Sequence, residues 1–216
     1  MIKNVAFVPI KMNNERLPGK NTKEFDNGKP LISYILNSLL KAEHIDEIYV
    51  YCSTEKVKGF LPEGVKFLKR SANLDLDSTK INEVMTAFAN DVPASNYILT
   101  HATAPFISVN SINSAVKAVS EEGFDSALTV EAKQDFLWLD NKPHNYDVCT
   151  IPRTQDLSPF FIETTGLYVY TQDLVKQNRR IGDKPFLVSV SKIEAIDINE
   201  PIDFEIANAI AASLDI

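Results

Sequence analysis

The chain opens on a continuously apolar segment, Val5 to Ile10 (VAFVPI), which is the pattern of a parallel strand covered on both faces. A polar stretch follows, Lys11 to Asn21 (KMNNERLPGKN). From Pro30 onward, Leu31, Ile32, Ile35, Leu36, Leu39 and Leu40 form a wide helical stripe, and Pro30 suits the first helical position. Glu47–Cys52 and Val65–Arg70 read as the second and third strands. Ile81, Val84, Met85 and Phe88 keep helical spacing, and Tyr97–Thr100 is the next strand. Ile112, Ala115, Val116 and Val119 predict a helix from about Asn110 to Glu122, closed by Gly123 as a left-handed cap. Ser126–Val130 is a further strand. After Thr164 come the strand GLYVYT, a short helix, the strand FLVSV, and a last helix on Ile202, Ile206, Ala209 and Ile210. Strands alternating with helices predict an α/β fold, a doubly wound and mostly parallel sheet, in a single domain over residues 1–216.

Lys133 to Phe161 breaks this rhythm. It holds Pro143, Pro152 and Pro159, the only tryptophan, and no helical period, yet it is too apolar for a disordered linker. It reads as an inserted β-arm or lid, folded against something such as a second subunit.

Composition narrows the function classes. At 216 residues the chain can bury roughly 70% of its unfolded surface, so it needs no disulfide or metal staple. Cys52 and Cys149 read as two half-buried free thiols, with a disulfide between them as the alternative, and His44, His101 and His144 show no zinc-ligand spacing. A net charge of −7 argues against nucleic-acid binding but not against a small phosphorylated ligand, which local cations and backbone N–H groups decide. No apolar run reaches the ~20 residues of a membrane helix. The first residues read as a strand rather than a leader, and a cytoplasmic location is expected.

In doubly wound sheets ligands bind beyond the carboxyl ends of the strands. Four segments fall there. Lys11, Arg16 and Lys20, with Asn13 and Asn21, could wrap a triphosphate, or belong to an ordinary charged surface loop; the loop matches neither GxxxxGK[ST] nor GxGxxG. Arg70 could anchor a base or phosphate, while Asp75, Asp77 and Ser78 could simply start the following helix. The segment from Thr100 through His101 and Thr103 to Pro105 leaves room for a flat ligand, although a lone histidine is more often structural. Asp197 and Asn199 precede the last helix, where carboxylates are natural Mg²⁺ ligands and where Asn199 or Glu200 could equally cap the helix.

The order of these signals is more specific than any one of them. LPGKN (Leu17–Asn21), KRSANL (Lys69–Leu74), PRTQDL (Pro152–Leu157) and AIDINEPIDFEIA (Ala195–Ala207) together resemble the acylneuraminate cytidylyltransferases, the CMP-sialic acid synthetase family, over essentially the whole chain. The resemblance implies an enzyme joining CMP from CTP to a 2-keto-3-deoxy sugar acid with loss of pyrophosphate, with Mg²⁺ as Lewis acid and a homodimer as the assembly. It implies catalytic roles for Lys20, Arg70 and Asp197, and nucleotide contacts from Lys11, Asn13, Arg16, Lys20, Asn21 and Arg70. On the sugar side it implies His101, Thr103, Arg153 and Gln155, and for the metal Asp197 and Asn199. Arg153 is the candidate for the sugar carboxylate, reached through the arm of a dimer.

The departures from that family are specific. Lys11 stands where the family opens its loop with arginine, Glu15 where it has a lysine, and His101 where glutamine is usual. Ile107 replaces an arginine, and Asn199 replaces a second metal-binding aspartate. They leave two further readings: a nucleotidyltransferase with another nucleotide or sugar, and a nucleotide- or sugar-binding homologue with weak or no catalysis.

Overall fold

The computed structural model describes residues 3–14 and 16–214. The elements in chain order are β1 (Asn4–Ile10), α1 (Leu31–Lys41), β2 (Glu47–Cys52), β3 (Val65–Lys69), α2 (Ile81–Asp91), β4 (Asn96–Thr100) and α3 (Val109–Ser120). They continue with β5 (Ser126–Lys133), the hairpin β6 (Trp138–Leu139) and β7 (Lys142–Pro143), then β8 (Phe160–Thr171), α4 (Gln172–Lys176), β9 (Pro185–Ser189) and α5 (Pro201–Leu214).

Seven strands form one sheet in the order β3-β2-β1-β4-β8-β5-β9. β1, β2, β3 and β4 run parallel, as do β5 and β9; β8 alone runs antiparallel, to both β4 and β5. The chain builds outward from β1 through β2 and β3, then returns to place β4 on the other side of β1. That reversal opens a crevice between the carboxyl ends of β1 and β4, the position where open α/β sheets take ligands.

β1 is buried on both faces because its side chains alternate between two cores. Ala6, Val8 and Ile10 pack under α1 and α3 with Ile32, Ile35, Leu36, Ile112 and Val116. Val5 and Phe7 face α2 and α4, with Val84, Met85, Phe88 and Leu174. Phe7 stacks on Phe88 at 4.1 Å between ring centroids. The predicted doubly wound, mostly parallel architecture is the one observed.

Several local expectations shift. Pro30 is the residue before α1, in extended conformation, and helix begins at Leu31. α3 ends at Ser120, and Gly123, at φ +77°, turns the chain three residues later, with the Phe124 N–H donating to the Ala118 carbonyl. Cys52 is buried, whereas Cys149 is exposed rather than half-buried; both thiols are free. In α5 the face presented to the body is Phe204, Ala207 and Ala211, while Ile202 and Ile206 are exposed. This helix is apolar nearly all round, so periodicity alone selects the wrong face; Phe204 decides it by packing on Phe25 at 4.9 Å.

Between β5 and β8 the chain leaves the sheet. The last pair of the ladder is Lys133 with Phe160, and beyond it lie the β6–β7 hairpin and a 3-10 turn over Thr154–Asp156. This arm exposes Trp138, Leu139, Val148 and Ile151, each by more than half.

Candidate active site

A third apolar cluster draws together two segments that are 181 residues apart in sequence: Leu17 of the loop after β1 and Ile198 before α5, with Phe25, Leu31, Tyr34, Phe106 and Phe204. Leu17 and Ile198 each sit beside a polar residue of the site, so this packing fixes where those residues point. Gly19 occupies the left-handed region at φ +69°, a conformation that suits glycine, and starts a 3-10 turn over Lys20–Thr22. The turn directs Lys20 inward, where its Nζ donates to the Ile198 carbonyl at 2.8 Å. The Ile198 N–H donates to the Thr103 carbonyl at 2.8 Å. Loops following β1, β4 and β9 are thus tied together. Asn21, buried, closes the first loop on itself by donating to the Lys11 carbonyl at 2.9 Å.

Two adjoining cavities lie over the crevice and share Lys11 and Asp77. One of about 170 Å³ is walled by the β1 loop, including Asn13, Arg16 and Lys20. The other, about 310 Å³, is lined by Arg70, Leu74, Ile81 and His101 among others. Arg70 is buried and donates to Asp75 at 2.6 Å, and Ser53 donates to the other oxygen of that carboxylate. Arg70 Nε is buried with no hydrogen-bond partner among the described residues, so the guanidinium retains a donor for a ligand. Lys11 pairs with Asp77. Asp75 and Asp77 therefore neutralise the cations of the crevice rather than begin α2, whose first turn uses Glu83 to accept the Lys80 N–H.

Opposite these cations lies Asp197. Its Oδ2 accepts from Asn199 Nδ2 at 2.8 Å and from the Thr165 hydroxyl at 3.3 Å. Asn199 Oδ1 in turn accepts from Arg16 at 3.0 Å. The Asn199 side chain does not cap α5; Asp203 does so from within the helix, accepting the N–H groups of Asn199 and Glu200. Thr165 holds φ +59°, a strained conformation for a β-branched residue. The next residue, Gly166, is required by close approach, since a Cβ there would stand 2.9 Å from Ile107 Cδ1 and 3.0 Å from Ala104 Cβ. Glu15 lies outside the described residues.

A profile of the family described as cytidylyltransferase matches residues 5–191. The chain belongs to the cytidylyltransferase family. N-acylneuraminate cytidylyltransferase A of Danio rerio is 24% identical over 212 residues, covering 94% of this chain and 49% of that protein. CMP-N,N'-diacetyllegionaminic acid synthase of Legionella pneumophila is 26% identical over 220 residues, covering 93% and 92%. A CMP:2-keto-3-deoxy-manno-octonic acid synthetase solved with CTP superposes with a TM-score of 0.72 at 16% identity, covering 98% of this chain and 99% of that one. The chain spans about half the length of the first curated relatives it matches. Membership of a nucleotidyl-transferring family agrees with the resemblance carried by LPGKN and AIDINEPIDFEIA.

In this cytidylyltransferase chain the crevice gathers Lys11, Asn13, Arg16, Lys20, Asn21, Arg70, His101, Thr103, Asp197 and Asn199. Arg153 and Gln155 are placed elsewhere. Both are exposed on the arm, where Arg153 makes a two-pronged pair with Asp156 at 2.8 and 2.9 Å. Sequence reasoning missed Thr165, Glu163, Tyr168 and Arg180. Arg180 donates to Glu163 at 3.0 Å and its guanidinium lies 3.8 Å from the Tyr168 ring centre. The signal available in the sequence was weak: an arginine pair before a glycine, with nothing to tie it to β8.

Burial dominates the site's titrations. It lowers the Lys20 pKa, opposed by the negative charge of Asp197. Burial likewise lowers His101 from 6.5 to about 4, opposed by Asp197 and assisted by Arg180 and Lys20, so the ring is neutral at pH 7. Because the unfolded chain takes up this proton first, the contribution of His101 to stability is complete above pH 6.5 and is lost as pH falls toward 4. Thermal unfolding followed from pH 7 to 4 is expected to show Tm falling across that window, and His101→Gln is expected to flatten the fall. An unchanged slope in the variant would refute the assignment. Glu47, held down at about 2 chiefly by Lys3 and Lys66, loses its contribution as pH falls from 4.5 toward 2 and so overlaps only the lowest part of that window.

Proposed function

We propose that this chain transfers the cytidylyl group of CTP to the anomeric hydroxyl of a 2-keto-3-deoxy sugar acid and releases pyrophosphate. The observation that carries this reading is the fixed pairing of Lys20 with the Ile198 carbonyl. It sets an ammonium beside the carboxylate of Asp197 in the crevice where the sheet reverses, as nucleotidyl transfer needs for a polyphosphate and the oxygen that attacks it. Chemistry of this kind rests on positioning and charge neutralisation rather than covalent work by the protein. Lys11, Asn13, Arg16 and Lys20 line the triphosphate side, with the Asn21 amide closing the loop. Arg70, with its unpartnered Nε, faces the base or the first phosphate. His101 and Thr103 border the sugar side.

The residues present fit Mg²⁺ under one condition. Asp197, the Asn199 amide oxygen and the Thr165 hydroxyl are hard oxygen donors, but no group of three acidic, histidine or cysteine ligands occurs among the described residues. Mg²⁺ keeps several waters and shares phosphate oxygens, so a single carboxylate suffices when the nucleotide completes the shell. Asp197 would hold the ion, joined by Asn199 once its amide oxygen turns from Arg16, and bound there it would supply Lewis-acid stabilisation of phosphate charge.

A homodimer accompanies this reading. The apolar surface of the arm and the absence of Arg153 and Gln155 from the lining of their own crevice both support docking onto a second copy. Light scattering is expected to report a dimer for the intact chain and a monomer after deletion of the arm; a soluble intact monomer would remove the idea. A cytoplasmic location goes with this reading, since CTP is a cell-internal substrate.

A binding-only homologue is favoured by one observation, the engagement of Asn199 by Arg16 where a second carboxylate would strengthen metal binding. Phosphate release coupled through pyrophosphatase, with CTP, UTP, ATP or GTP and a panel of sugar acids, separates the readings. CTP-selective release supports the transferase, and release with another nucleotide redirects it.

A further inference from the structure

We propose that Arg180 receives the carboxylate of the sugar acid; the assignment rests on the transferase reading above. In a 2-keto-3-deoxy acid the carboxylate is bonded to the same carbon as the anomeric hydroxyl. Whatever binds it must therefore stand next to the reacting phosphate, on the side away from the triphosphate. The sheet order defines that side. β4, with His101 just beyond its end, separates β1 and its cationic loop from β8.

Arg180 is the cation that the fold lays over β8. It comes from the loop after α4, stacks on Tyr168 of β8 and reaches Glu163 near the start of the same strand. Glu163 is two residues before Thr165, which contacts Asp197. The Tyr168 hydroxyl donates to the same Glu163 oxygen that Arg180 engages. The charges of Asp197 and Arg180 both act on His101 and on the Tyr168 hydroxyl, and that of Lys20 acts on His101, so all three lie within electrostatic reach of the histidine.

The state of the guanidinium suits capture. A guanidinium carries five N–H donors, and the contact with Glu163 uses one. The Tyr168 ring fixes its plane, so its fork is oriented before a ligand arrives. Its side chain is 24% exposed, enough to meet a small ligand and dry enough to strengthen the contact. Arg153, by contrast, is 72% exposed and already forked onto Asp156.

The test compares each acid with its methyl ester, which keeps the sugar and removes the charge. The probes are 3-deoxy-manno-octulosonate, N-acetylneuraminate and N,N'-diacetyllegionaminate, titrated by ligand-detected NMR with CTP and EDTA present. The wild-type chain is expected to bind at least one acid on the order of 10- to 100-fold tighter than its ester, the range of a charge-assisted hydrogen bond. Arg180→Ala is expected to bring that ratio within about threefold, with CTP affinity unchanged, and Arg180→Lys to restore part of it. A ratio preserved in Arg180→Ala, or erased instead by Arg153→Ala, overturns the assignment and leaves the transferase reading standing. Loss of CTP binding in both Arg180 variants shows a structural role and also overturns it. No binding of any acid to the wild type removes the transferase reading, and this assignment falls with it.

Discussion

Replacing Lys20 by alanine is expected to lower kcat/KM for CTP by roughly 10²–10³-fold, the cost of removing one preorganised donor from developing phosphate charge. Lys20 is the one loop cation whose position is set from three directions. The Gly19 turn delivers it, Leu17 is anchored in the cluster that also holds Ile198, and the Ile198 carbonyl accepts its hydrogen bond at 2.8 Å. Partial burial lowers its pKa while Asp197 supports the charge. The ammonium is therefore both desolvated and fixed before a phosphate arrives. Lys20→Arg is expected to rescue little, because a planar fork cannot occupy the site of a point charge. Steady-state kinetics with CTP, alongside thermal unfolding to show that the fold persists, check the prediction. A kcat/KM for CTP within threefold of wild type would refute the role.

Asp197→Ala is expected to abolish Mg²⁺-dependent turnover, a loss of about 10³-fold or more if the carboxylate is the sole charged ligand of the ion. Alanine also leaves the Asn199 amide and the Thr165 hydroxyl without their shared acceptor. Asp197→Asn is the cleaner variant, since it keeps the shape and removes the charge. The reverse change, Asn199→Asp, adds a carboxylate and should lower the Mg²⁺ concentration giving half-maximal rate. Turnover measured against Mg²⁺ concentration reads all three. A wild-type Mg²⁺ profile in Asp197→Asn would show that the carboxylate holds no ion.

The fold was legible in the sequence because its signal is repeated. VAFVPI, EIYVYC and YILT are short apolar runs with the length and composition of strands buried on both faces, and the helices between them keep their stripes over three turns. β8 is where the pattern misleads. Its first half, Phe160 to Thr164, alternates between arm and sheet, so only GLYVYT reads as a strand, and its antiparallel direction has no signature in one sequence. α5 misleads for the opposite reason: with apolar residues on every side, its spacing cannot say that Phe204 faces inward and Ile206 outward.

The site was legible where residues are close in sequence or sit in a recognisable string. Lys20 and Asn21 follow a Pro-Gly turn, and Asp197 lies in IDIN directly before a helix. Asp75 and Asp77 were visible but read as helix-start residues, since sequence cannot show that Lys11 and Arg70 approach them from β1 and β3. Glu163, Tyr168 and Arg180 were hidden because their meeting is made by the fold alone. The loop after α4 returns along the face of β8, and no local spacing predicts that return.

The central claim, that this crevice joins CMP to a sugar acid, is tested most directly by product analysis. CTP, Mg²⁺ and each acid of the panel are incubated with the chain, and the nucleotides are separated and identified by mass spectrometry and ³¹P NMR. The account predicts that at least one acid yields a CMP–sugar with a single phosphodiester phosphorus, together with one equivalent of pyrophosphate. CTP that binds in calorimetry yet returns unchanged with every acid would contradict it.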